Sequence, residues 1–430
     1  MEKIGKYEVK QVLGEGATST VYLCFDPFAG HDVAVKLVNP KVLNDAQTGH
    51  LFKKLFISEA SLAGKLTHPH IASIFDAVND DDTKYIVMEY VPGGTLEKFT
   101  KPETLLPPDK VVEIIFKASR ALDFAFRIGV THRDIKPANI LAVMDGNNVR
   151  DVKITDFGAA ITGSKDQTQV SGVGSPAYMS PQQITDDVLD HQTDIYSLGV
   201  VMYQLLTGHL PFEADNNFSM IYQIVNVEPT PPTTFRPNLP PEVERVVMKA
   251  IRKSTAERYP RWEEFSLDLA ELVRNRDIFS VDPSEIADAE RFNLLRAMQF
   301  FAGFSDVEIW EVVRLGLWER LVAGHTIFQE GSAGDYFYVI AEGQAKVTKR
   351  GKLLNVIQAG ECVGEMAYLA YDAPRPRSAD VVTISACTTV GLTPAGIAQA
   401  SEACQHHFDR AFLRILVDRL TLANQRLSNS

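Results

Sequence analysis

Two short segments in the middle of the chain carry side chains suited to phosphate chemistry. In the first, Asp134 could accept the proton of a hydroxyl, Lys136 could neutralise charge, and Asn139 could bind a metal ion. In the second, Asp156 follows a strand-like run and stands two residues before Gly158. Mg²⁺ prefers one or two carboxylates together with phosphate and water oxygens. The two segments therefore supply a proton acceptor, a cation and two metal ligands, a set of side chains suited to reactions at phosphate groups.

A lysine in an apolar strand has a plausible partner on the following helix. Lys36 ends the run Val-Ala-Val-Lys, and Glu59 lies on the apolar side of a helical pattern, four residues after Leu55. A buried carboxylate without a cation costs several kcal/mol. We therefore predict a Lys36–Glu59 ion pair that holds the lysine for phosphate groups; an edge lysine reaching to water is the alternative.

Gly14 and Gly16 are separated by one residue and lie between two predicted strands. A dinucleotide-binding fingerprint needs a strand, then glycines, then a helix. The Gly-Lys-Ser/Thr ending of a P-loop is also missing from the sequence. The pattern favours a hairpin that folds over a nucleotide and offers backbone N–H groups to its phosphates.

A second candidate anion site lies in the C-terminal third. Gly364 permits a sharp turn into a short helix, and exposed N–H groups at a helix start favour an anion. Arg377, from the next strand, could bind the same anion as a two-pronged donor. Glu365 would repel phosphate but suits a ribose hydroxyl. These residues indicate a sugar phosphate, with a surface Arg–Glu pair worth about 0–1 kcal/mol as the alternative.

The elements that position these residues follow from periodicity. Residues 7–38 alternate like strands, and a helical pattern then runs from about residue 51 to Leu66. The clearest later helices are 111–126 and 194–206, whereas the proline-dense stretch 229–241 must be irregular. Glycine-punctuated strands follow from residue 321 and are typical of a β-roll. An amphipathic helix from about residue 406 is predicted to close the core of that roll, with dimerisation as the alternative.

The composition limits the kinds of partner that the chain is expected to bind and the compartment in which it is expected to lie. The 430 residues carry a net charge of -12, which argues against nucleic acid. The four cysteines form no CxxC pair, so we expect reduced thiols and no metal knuckle. The sequence has neither the apolar region of a signal peptide nor a membrane-length apolar run. We expect a soluble, cytoplasmic protein.

The N-terminal motifs together resemble those of eukaryotic-type (Hanks-type) Ser/Thr protein kinases over about residues 7–273. The signature of that family is matched by the Gly14-x-Gly16 hairpin, Lys36, Glu59, His132-Arg133-Asp134, Asn139, Asp156-Phe157-Gly158, Asp194 and Arg258. The resemblance implies ATP and Mg²⁺ as ligands, with Asp156 and Asn139 holding the metal. It implies these ATP-binding residues: Gly14, Gly16, Ser19, Val21, Ala34, Lys36, Met88, Glu89 and Val91. It also implies a catalytic group of Asp134, Lys136, Lys36 and Glu59.

Two positions depart from the kinase pattern. Ser19 replaces the third glycine of the phosphate loop, and Gln182 replaces a glutamate that pairs with an arginine, here Arg258. We expect Gln182 to keep only a neutral hydrogen bond. By the resemblance, Arg133, before Asp134, implies control by phosphorylation of the activation segment, where Ser164, Thr168 and Ser171 are the candidate residues. Ser175 stands where the family has its substrate-adjacent Thr or Ser.

Residues of about 295–420 resemble the cyclic-nucleotide-binding domain family. The resemblance makes Glu365 the ribose acceptor and Arg377 the phosphate ligand. The whole implied site comprises Gly364, Glu365, Met366, Ala367, Arg377 and Ser378. Ser378 leaves cAMP and cGMP both open, with cAMP preferred. Asp380 stands where threonine is common, which we expect to add negative charge near the site, and a degenerate sensor is the alternative.

The sequence thus predicts an α+β chain with a bilobal protein-kinase fold followed by a β-roll cyclic-nucleotide-binding domain with flanking helices. The predicted divisions are a kinase domain over 1–273, a linker over 274–292 and the nucleotide-binding domain over 293–430. The expected function is phosphorylation of Ser/Thr in protein substrates under cyclic-nucleotide control. The alternative function is a pseudokinase scaffold with a ligand sensor. A homodimer through the C-terminal helix is the alternative role of that helix.

Overall fold

The structure is a computed structural model that describes residues 2–16, 18–45, 49–80, 83–159, 161–162, 176–279, 286–365 and 376–428. The chain folds as two compact units, residues 1–280 and residues 281–430. Both contain helices and antiparallel strands, which confirms the predicted α+β class. The finer divisions at 273 and 293 stay predictions.

The first unit begins with an antiparallel sheet in the order β1-β2-β3-β4-β6-β5. Its strands are β1 (Lys3–Ile4), β2 (Tyr7–Glu15), β3 (Ser19–Asp26), β4 (His31–Val38), β5 (Ile74–Asn79) and β6 (Lys84–Glu89). Successive side chains of a strand point to opposite faces. Accordingly, Val33 and Val35 pack in one apolar cluster, whereas Ala34 and Val38 pack in another with Phe56.

Two helices follow the fourth strand, α1 (Pro40–Leu43) and α2 (Gly49–Ala60). The predicted continuation of the helical pattern to Leu66 is wrong, because the helix ends at Ala60. Leu62 and Leu66 are nevertheless buried, 1% and 5% exposed, from the turns that follow. Gly64 adopts a left-handed φ of 73° in these turns, a backbone conformation that a helix cannot contain.

The rest of the first unit is mainly helical. Its helices are α3 (Pro108–Arg127), α4 (Pro181–Thr185), α5 (His191–Thr207), α6 (Asn217–Asn226), α7 (Pro241–Ala250), α8 (Trp262–Arg274) and α9 (Arg276–Phe279). Its strands are β7 (Val130–Thr131), β8 (Ile140–Asp145), β9 (Asn148–Ile154) and β10 (Ile161–Thr162), paired as β8-β9 and β10-β7. The proline-dense stretch contains one short 3-10 turn, Pro232–Thr234, before α7 begins. This agrees with the predicted irregular connection.

The second unit contains two sheets, in the orders β11-β18-β13-β16 and β12-β17-β14-β15. Their strands are β11 (Leu317–Leu321), β12 (Thr326–Phe328), β13 (Phe337–Glu342), β14 (Ala345–Lys349), β15 (Lys352–Ile357), β16 (Cys362–Val363), β17 (Asp380–Thr383) and β18 (Cys387–Leu392). The helices are α10 (Asp288–Ala297), α11 (Asp306–Leu315), α12 (Pro394–Ile397) and α13 (Glu402–Ser428). None of the helices in the described ranges is long and apolar enough to cross a bilayer.

The final helix, α13, starts at Glu402, four residues before the predicted start. Phe408 and Phe412 are buried and pack around Phe300 and Phe337. The predicted role of the helix in closing its own core is therefore confirmed for its first turns.

Candidate functional site

Lys36 lies at the centre of a charged cluster in the first unit. Its Nζ is 2.9 Å and 3.1 Å from the two carboxylate oxygens of Glu59 and 2.6 Å from Oδ1 of Asp156. The Lys36 side chain is only 15% exposed and that of Glu59 only 5%. The predicted Lys36–Glu59 pair is confirmed, and the edge-lysine alternative is wrong. The sequence did not predict that Asp156 contacts the same ammonium group.

The charges of this cluster depend on one another. Burial favours the neutral form of Lys36, but the carboxylates of Asp156 and Glu59 outweigh it and raise the pKa of the lysine. Burial also disfavours the Asp156 carboxylate, yet the neighbouring Lys36 lowers its pKa to about 2. Burial raises the pKa of Glu59, and Lys36 opposes that shift. Lys36 and Asp156 are therefore ionised near neutral pH.

Two of the three polar residues predicted on the catalytic segment contact the carboxylate of the third, Asp134. Nζ of Lys136 lies 2.8 Å from Oδ2 of Asp134, and Nδ2 of Asn139 donates to the same oxygen at 3.1 Å. Nδ2 of Asn139 also donates to the backbone oxygen of Asp134 at 2.8 Å. Asp134 is thereby oriented, while its side chain stays 42% exposed.

A buried carboxylate from α5 holds the backbone of this segment. The two oxygens of Asp194 accept hydrogen bonds from the N–H groups of His132 and Arg133, both at 2.7 Å. Arg133 has a left-handed φ of 66°, which is uncommon outside glycine. Charge-assisted bonds of this kind are stronger than neutral ones. Asp194 therefore supports a strained turn, a role that the sequence analysis did not assign.

The segments of Asp134 and Asp156 are joined through the backbone. The N–H of Thr155 donates to the carbonyl of Asn139 at 2.9 Å, and Nε2 of His132 lies 3.1 Å from the carbonyl of Thr155. Asp156 itself has a φ of 65°, so its side chain departs from the strand direction. The two aspartates therefore flank one site, as a phosphate-transfer site requires.

The expected adenine-binding residues cluster beside Lys36. Ala34 and Met88 are neighbours across β4 and β6, and the side chain of Val21 packs on the same apolar cluster. The side chain of Glu89 is engaged elsewhere, 3.0 Å from Nζ of Lys153, so only its backbone suits a hinge role. Val91 follows this strand and is buried.

The glycine hairpin connects β2 to β3, as predicted. Gly14 pairs with Val21 in the sheet, and the N–H of Gly16 donates to the carbonyl of Ser19 at 2.8 Å. No described atom lies within 4 Å of where a Cβ of Gly14 would stand. The strand-to-strand geometry excludes the dinucleotide-binding arrangement, in which the glycines open a helix.

The departure at Gln182 has the expected geometry. Oε1 of Gln182 accepts from both terminal nitrogens of Arg258, at 3.4 Å and 3.3 Å. Arg258 is 1% exposed and also donates to the carbonyls of Gln192, Arg252 and Lys253. Burial lowers the pKa of Arg258 to about 10. The neutral hydrogen bond predicted for Gln182 is confirmed.

The second anion site centres on Arg377, which is 9% exposed. Its guanidinium donates to the carbonyl of Tyr336 at 2.5 Å and to that of Gly364 at 3.3 Å. The same group lies over the ring of Phe328. Gly364 has a φ of 77°, which confirms the predicted sharp turn. The guanidinium is thus supported by one aromatic face and two carbonyl groups.

The other predicted residues of this site differ in their placement. Glu365 is 5% exposed, whereas Ser378 is exposed. Met366 and Ala367 lie outside the described residues, as do Ser175 and the activation-segment candidates Ser164, Thr168 and Ser171.

Asp380 has a structural role that the sequence analysis missed. Its Oδ1 accepts a hydrogen bond from the backbone N–H of Glu330 at 2.7 Å. The neighbouring turn also pairs with Arg377, because Gly331 donates to the carbonyl of Arg377 and Arg377 donates to that of Ser332, both at 2.8 Å. Asp380 therefore ties this turn to the strand that follows Arg377.

The donor set of the first site fits the expected ATP and Mg²⁺. Asn139 uses its amide nitrogen for Asp134, which leaves its amide oxygen for a metal ion. The Asp156 side chain is ionised and 40% exposed, so it can reach a ligand. One carboxylate and one amide oxygen suit Mg²⁺ that takes its other oxygens from phosphates and water.

Comparisons with known proteins give two family matches. The model of the protein kinase domain matches residues 7–285, and that of the cyclic nucleotide-binding domain matches residues 318–403. Both matches agree with the fold class predicted from the sequence, a bilobal kinase fold followed by a β-roll.

Individual relatives are bacterial serine/threonine-protein kinases. PknB of Mycolicibacterium smegmatis is 36% identical over 301 residues, 68% of this chain and 46% of the relative. PknB of Mycobacterium tuberculosis is 37% identical over 298 residues, 67% of this chain and 46% of the relative. A probable serine/threonine-protein kinase of Clostridium perfringens is 33% identical over 291 residues, 67% of this chain and 41% of the relative. The chain spans less than half the length of these relatives.

Proposed function

The chain belongs to the protein kinase family, and on that premise we propose that it transfers the γ-phosphate of ATP to Ser and Thr side chains of proteins. The observation that carries the proposal is the contact of Lys36 with both Glu59 and Asp156. The ion pair with Glu59 fixes the lysine, and the contact with Asp156 brings it to the residue expected to hold the metal. A lysine so fixed can bind phosphate without losing further side-chain freedom.

The roles of the chain's own residues follow from in-line phosphoryl transfer, in which positioning and neutralisation of charge dominate. The backbone of Gly14 and Gly16 and the ammonium of Lys36 bind the phosphates of ATP. Asp156 and Asn139 would hold Mg²⁺, and the bound ion would neutralise charge on the phosphates.

Asp134 orients the acceptor hydroxyl and takes up its proton, because its carboxylate is held by Asn139 and remains partly exposed. Lys136, 2.8 Å from the same carboxylate, neutralises charge on the transferred group. Val21, Ala34 and Met88 supply the apolar surface for adenine, and the backbone between Glu89 and Val91 supplies its hydrogen bonds.

The test is transfer of labelled γ-phosphate from ATP to a generic protein acceptor. Asp134→Asn removes the proton acceptor, and Lys36→Met removes the phosphate ligand, so each variant should abolish transfer. Retained transfer in both variants would exclude this assignment. Absence of transfer in the wild type, together with binding of ATP, would instead favour the scaffold function.

The second unit is proposed to bind a cyclic nucleotide through Arg377 and Glu365, with cAMP preferred over cGMP. The burial of both side chains supports this, because a buried cation near a buried carboxylate can serve the phosphate and the ribose hydroxyl of one ligand. Gly364, Met366, Ala367 and Ser378 complete the proposed site. Calorimetric titration with cAMP and cGMP tests it, and Arg377→Gln should remove the binding of either.

We further propose that the bound nucleotide shifts the kinase between less active and more active populations. A ligand can do this only through different affinities for the two states. Phosphotransfer is therefore to be measured with and without each nucleotide; equal rates, with binding established by calorimetry, would exclude the coupling while leaving both binding and catalysis in place.

Two finer proposals concern control and assembly. Arg133 has no ion-pair partner among the described residues, and burial lowers its pKa. A phosphate on the activation segment would provide the anion that pairs with Arg133.

On α13, Leu413, Leu416 and Val417 are exposed and could pair two copies of the chain. Mass spectrometry of phosphorylated sites and light scattering test these proposals separately.

A further inference from the structure

One hairpin of the second unit concentrates positive charge on a chain whose net charge is -12. This basic hairpin comprises residues 346–354, from β14 through the turn into β15. Lys346, Lys349, Arg350 and Lys352 are all exposed on it. Within the part of the chain that the structure describes, none of the four side chains forms an ion pair.

The turn holds three of these cations close together. Arg350 and Gly351 have φ values of 49° and 75°, the two consecutive left-handed residues of a tight hairpin turn. The N–H of Arg350 donates to Oε2 of Glu330 at 3.0 Å, which fixes the turn. Lys349 and Lys352 face each other across the strands. Like charges in directly opposed positions are destabilising, so an external anion would relieve this pair.

Two leucines follow the cations directly. Leu353 and Leu354 are 62% and 54% exposed, although both lie in strand β15. The register between β14 and β15 shifts at this point, because Val347 pairs with Asn355 and Thr348 with Leu353. Leu354 is therefore the extra residue of a β-bulge, and both leucines are exposed beside the cations near the tip. Transfer of such groups from water to an apolar medium is favourable.

From this combination we propose that the basic hairpin docks on an anionic lipid surface. The cations contact phosphate-bearing headgroups, and Leu353 and Leu354 enter the interface between headgroups and acyl chains. A lipid layer offers phosphate groups to the cations and an apolar medium to both exposed leucines at the same tip. Nucleic acid phosphates would satisfy the cations but not the leucines. Cations and apolar insertion together provide the two signals that stable membrane attachment requires.

The test uses the full-length protein and co-sedimentation with vesicles. Vesicles of phosphatidylcholine alone are compared with vesicles that also contain phosphatidylglycerol. We expect binding only to the anionic vesicles, and a fall in binding as salt rises. Removing three cations with Lys349→Gln, Arg350→Asn and Lys352→Gln should reduce the partition coefficient about 100-fold, on the order of fivefold for each charge.

A second variant isolates the apolar contribution. Leu353→Ser with Leu354→Ser keeps every charge, yet it should reduce partitioning about tenfold or more because two exposed leucines no longer enter the lipid. The matched control is Leu267→Ser with Lys65→Gln, an exposed leucine and an exposed lysine of the first unit, which should leave binding unchanged. Circular dichroism melting of each variant verifies folding.

Three outcomes would overturn the proposal. The first is no binding of the wild type to anionic vesicles, and the second is equal binding to neutral and anionic vesicles. The third is unchanged binding of the leucine variant to anionic vesicles, together with binding of the wild type to a fluorescent oligoglutamate peptide as tightly as to those vesicles. That result would make the hairpin a docking surface for acidic proteins. Phosphotransfer and nucleotide titration are independent of all three.

Discussion

The guanidinium carbon of Arg377 lies 3.8 Å from the centre of the Phe328 ring. A cation over an aromatic face is attracted by the ring quadrupole, and the same contact restricts where the guanidinium can turn. Phe328 also packs in the apolar cluster beneath the site. It is therefore a positioning residue for the proposed phosphate ligand.

We expect Phe328→Leu to weaken cAMP binding about tenfold, because the guanidinium loses its aromatic support. Calorimetric titration measures the change in Kd. Phe328→Tyr keeps the ring and should bind nearly as the wild type does. If the leucine variant binds with unchanged Kd while melting at a lower temperature, Phe328 only fills the core.

Glu59→Gln tests the ion pair in the first site. Lys36 keeps its contact with Asp156 but loses the carboxylate that fixes it, so the lysine is less well placed for phosphate. We expect kcat for phosphotransfer to fall about 100-fold, as a misplaced group of this kind can cause. Lys53→Gln, at an exposed position of the same helix, is the control and should retain the wild-type rate. Equal rates for both variants would contradict the role of the pair.

Gln182→Glu should stabilise the first unit. The substitution places a carboxylate where Arg258 now makes two long hydrogen bonds to a neutral oxygen. Arg258 is already a cation, so the substitution replaces a neutral acceptor by an ionised one and shortens and strengthens the bond, by about 1 kcal/mol. We expect the free energy of unfolding in urea to rise by about that amount, and Gln182→Ala to lower it. An unchanged or lower free energy of unfolding for Gln182→Glu would show that burial of the added carboxylate destabilises the fold at least as much as its bond to Arg258 stabilises it.

Two substitutions of Asp380 distinguish between a structural and an electrostatic role of its side chain. If it fixes the turn at Glu330, Asp380→Asn should bind cAMP as the wild type does, because the amide oxygen still accepts the hydrogen bond. Asp380→Ala should then lose about 1 kcal/mol of stability and bind more weakly. If instead its charge repels the ligand, both variants should bind more tightly. Thermal melting and calorimetry separate these results.

Lys253 should make the free energy of unfolding depend on pH in the alkaline range. Its Nζ donates to the carbonyls of Gln223 and Ile224 near the end of α6, and burial lowers its pKa to about 8 from an ordinary 10.5. Between these values the unfolded chain binds more protons than the folded one, so this group makes stability rise with pH. We expect the unfolding free energy of the wild type to increase relative to Lys253→Met from pH 8 towards pH 10.5. A constant difference would contradict the shifted pKa.

Periodicity and residue chemistry were sufficient for several features of the first site. Glu59 could be recognised because a carboxylate on the apolar side of a helix needs a cation, and Lys36 was the available one. The glycine hairpin followed from strands on both sides of Gly14 and Gly16. Local patterns of this kind depend on residues that are close in the sequence, so they can be recognised without the tertiary structure.

Tertiary structure alone decided the contacts between distant segments. Asp194 bonds to the backbone of His132 and Arg133, about 60 positions earlier, and Asp380 bonds to Glu330, 50 positions earlier. Such pairs produce no periodic pattern in the sequence. The partner of a buried polar group depends on how distant segments pack together, and not on their separation along the chain. The sequence by itself determined which residues could do the chemistry; the packing within each unit determined which residues hold them in place.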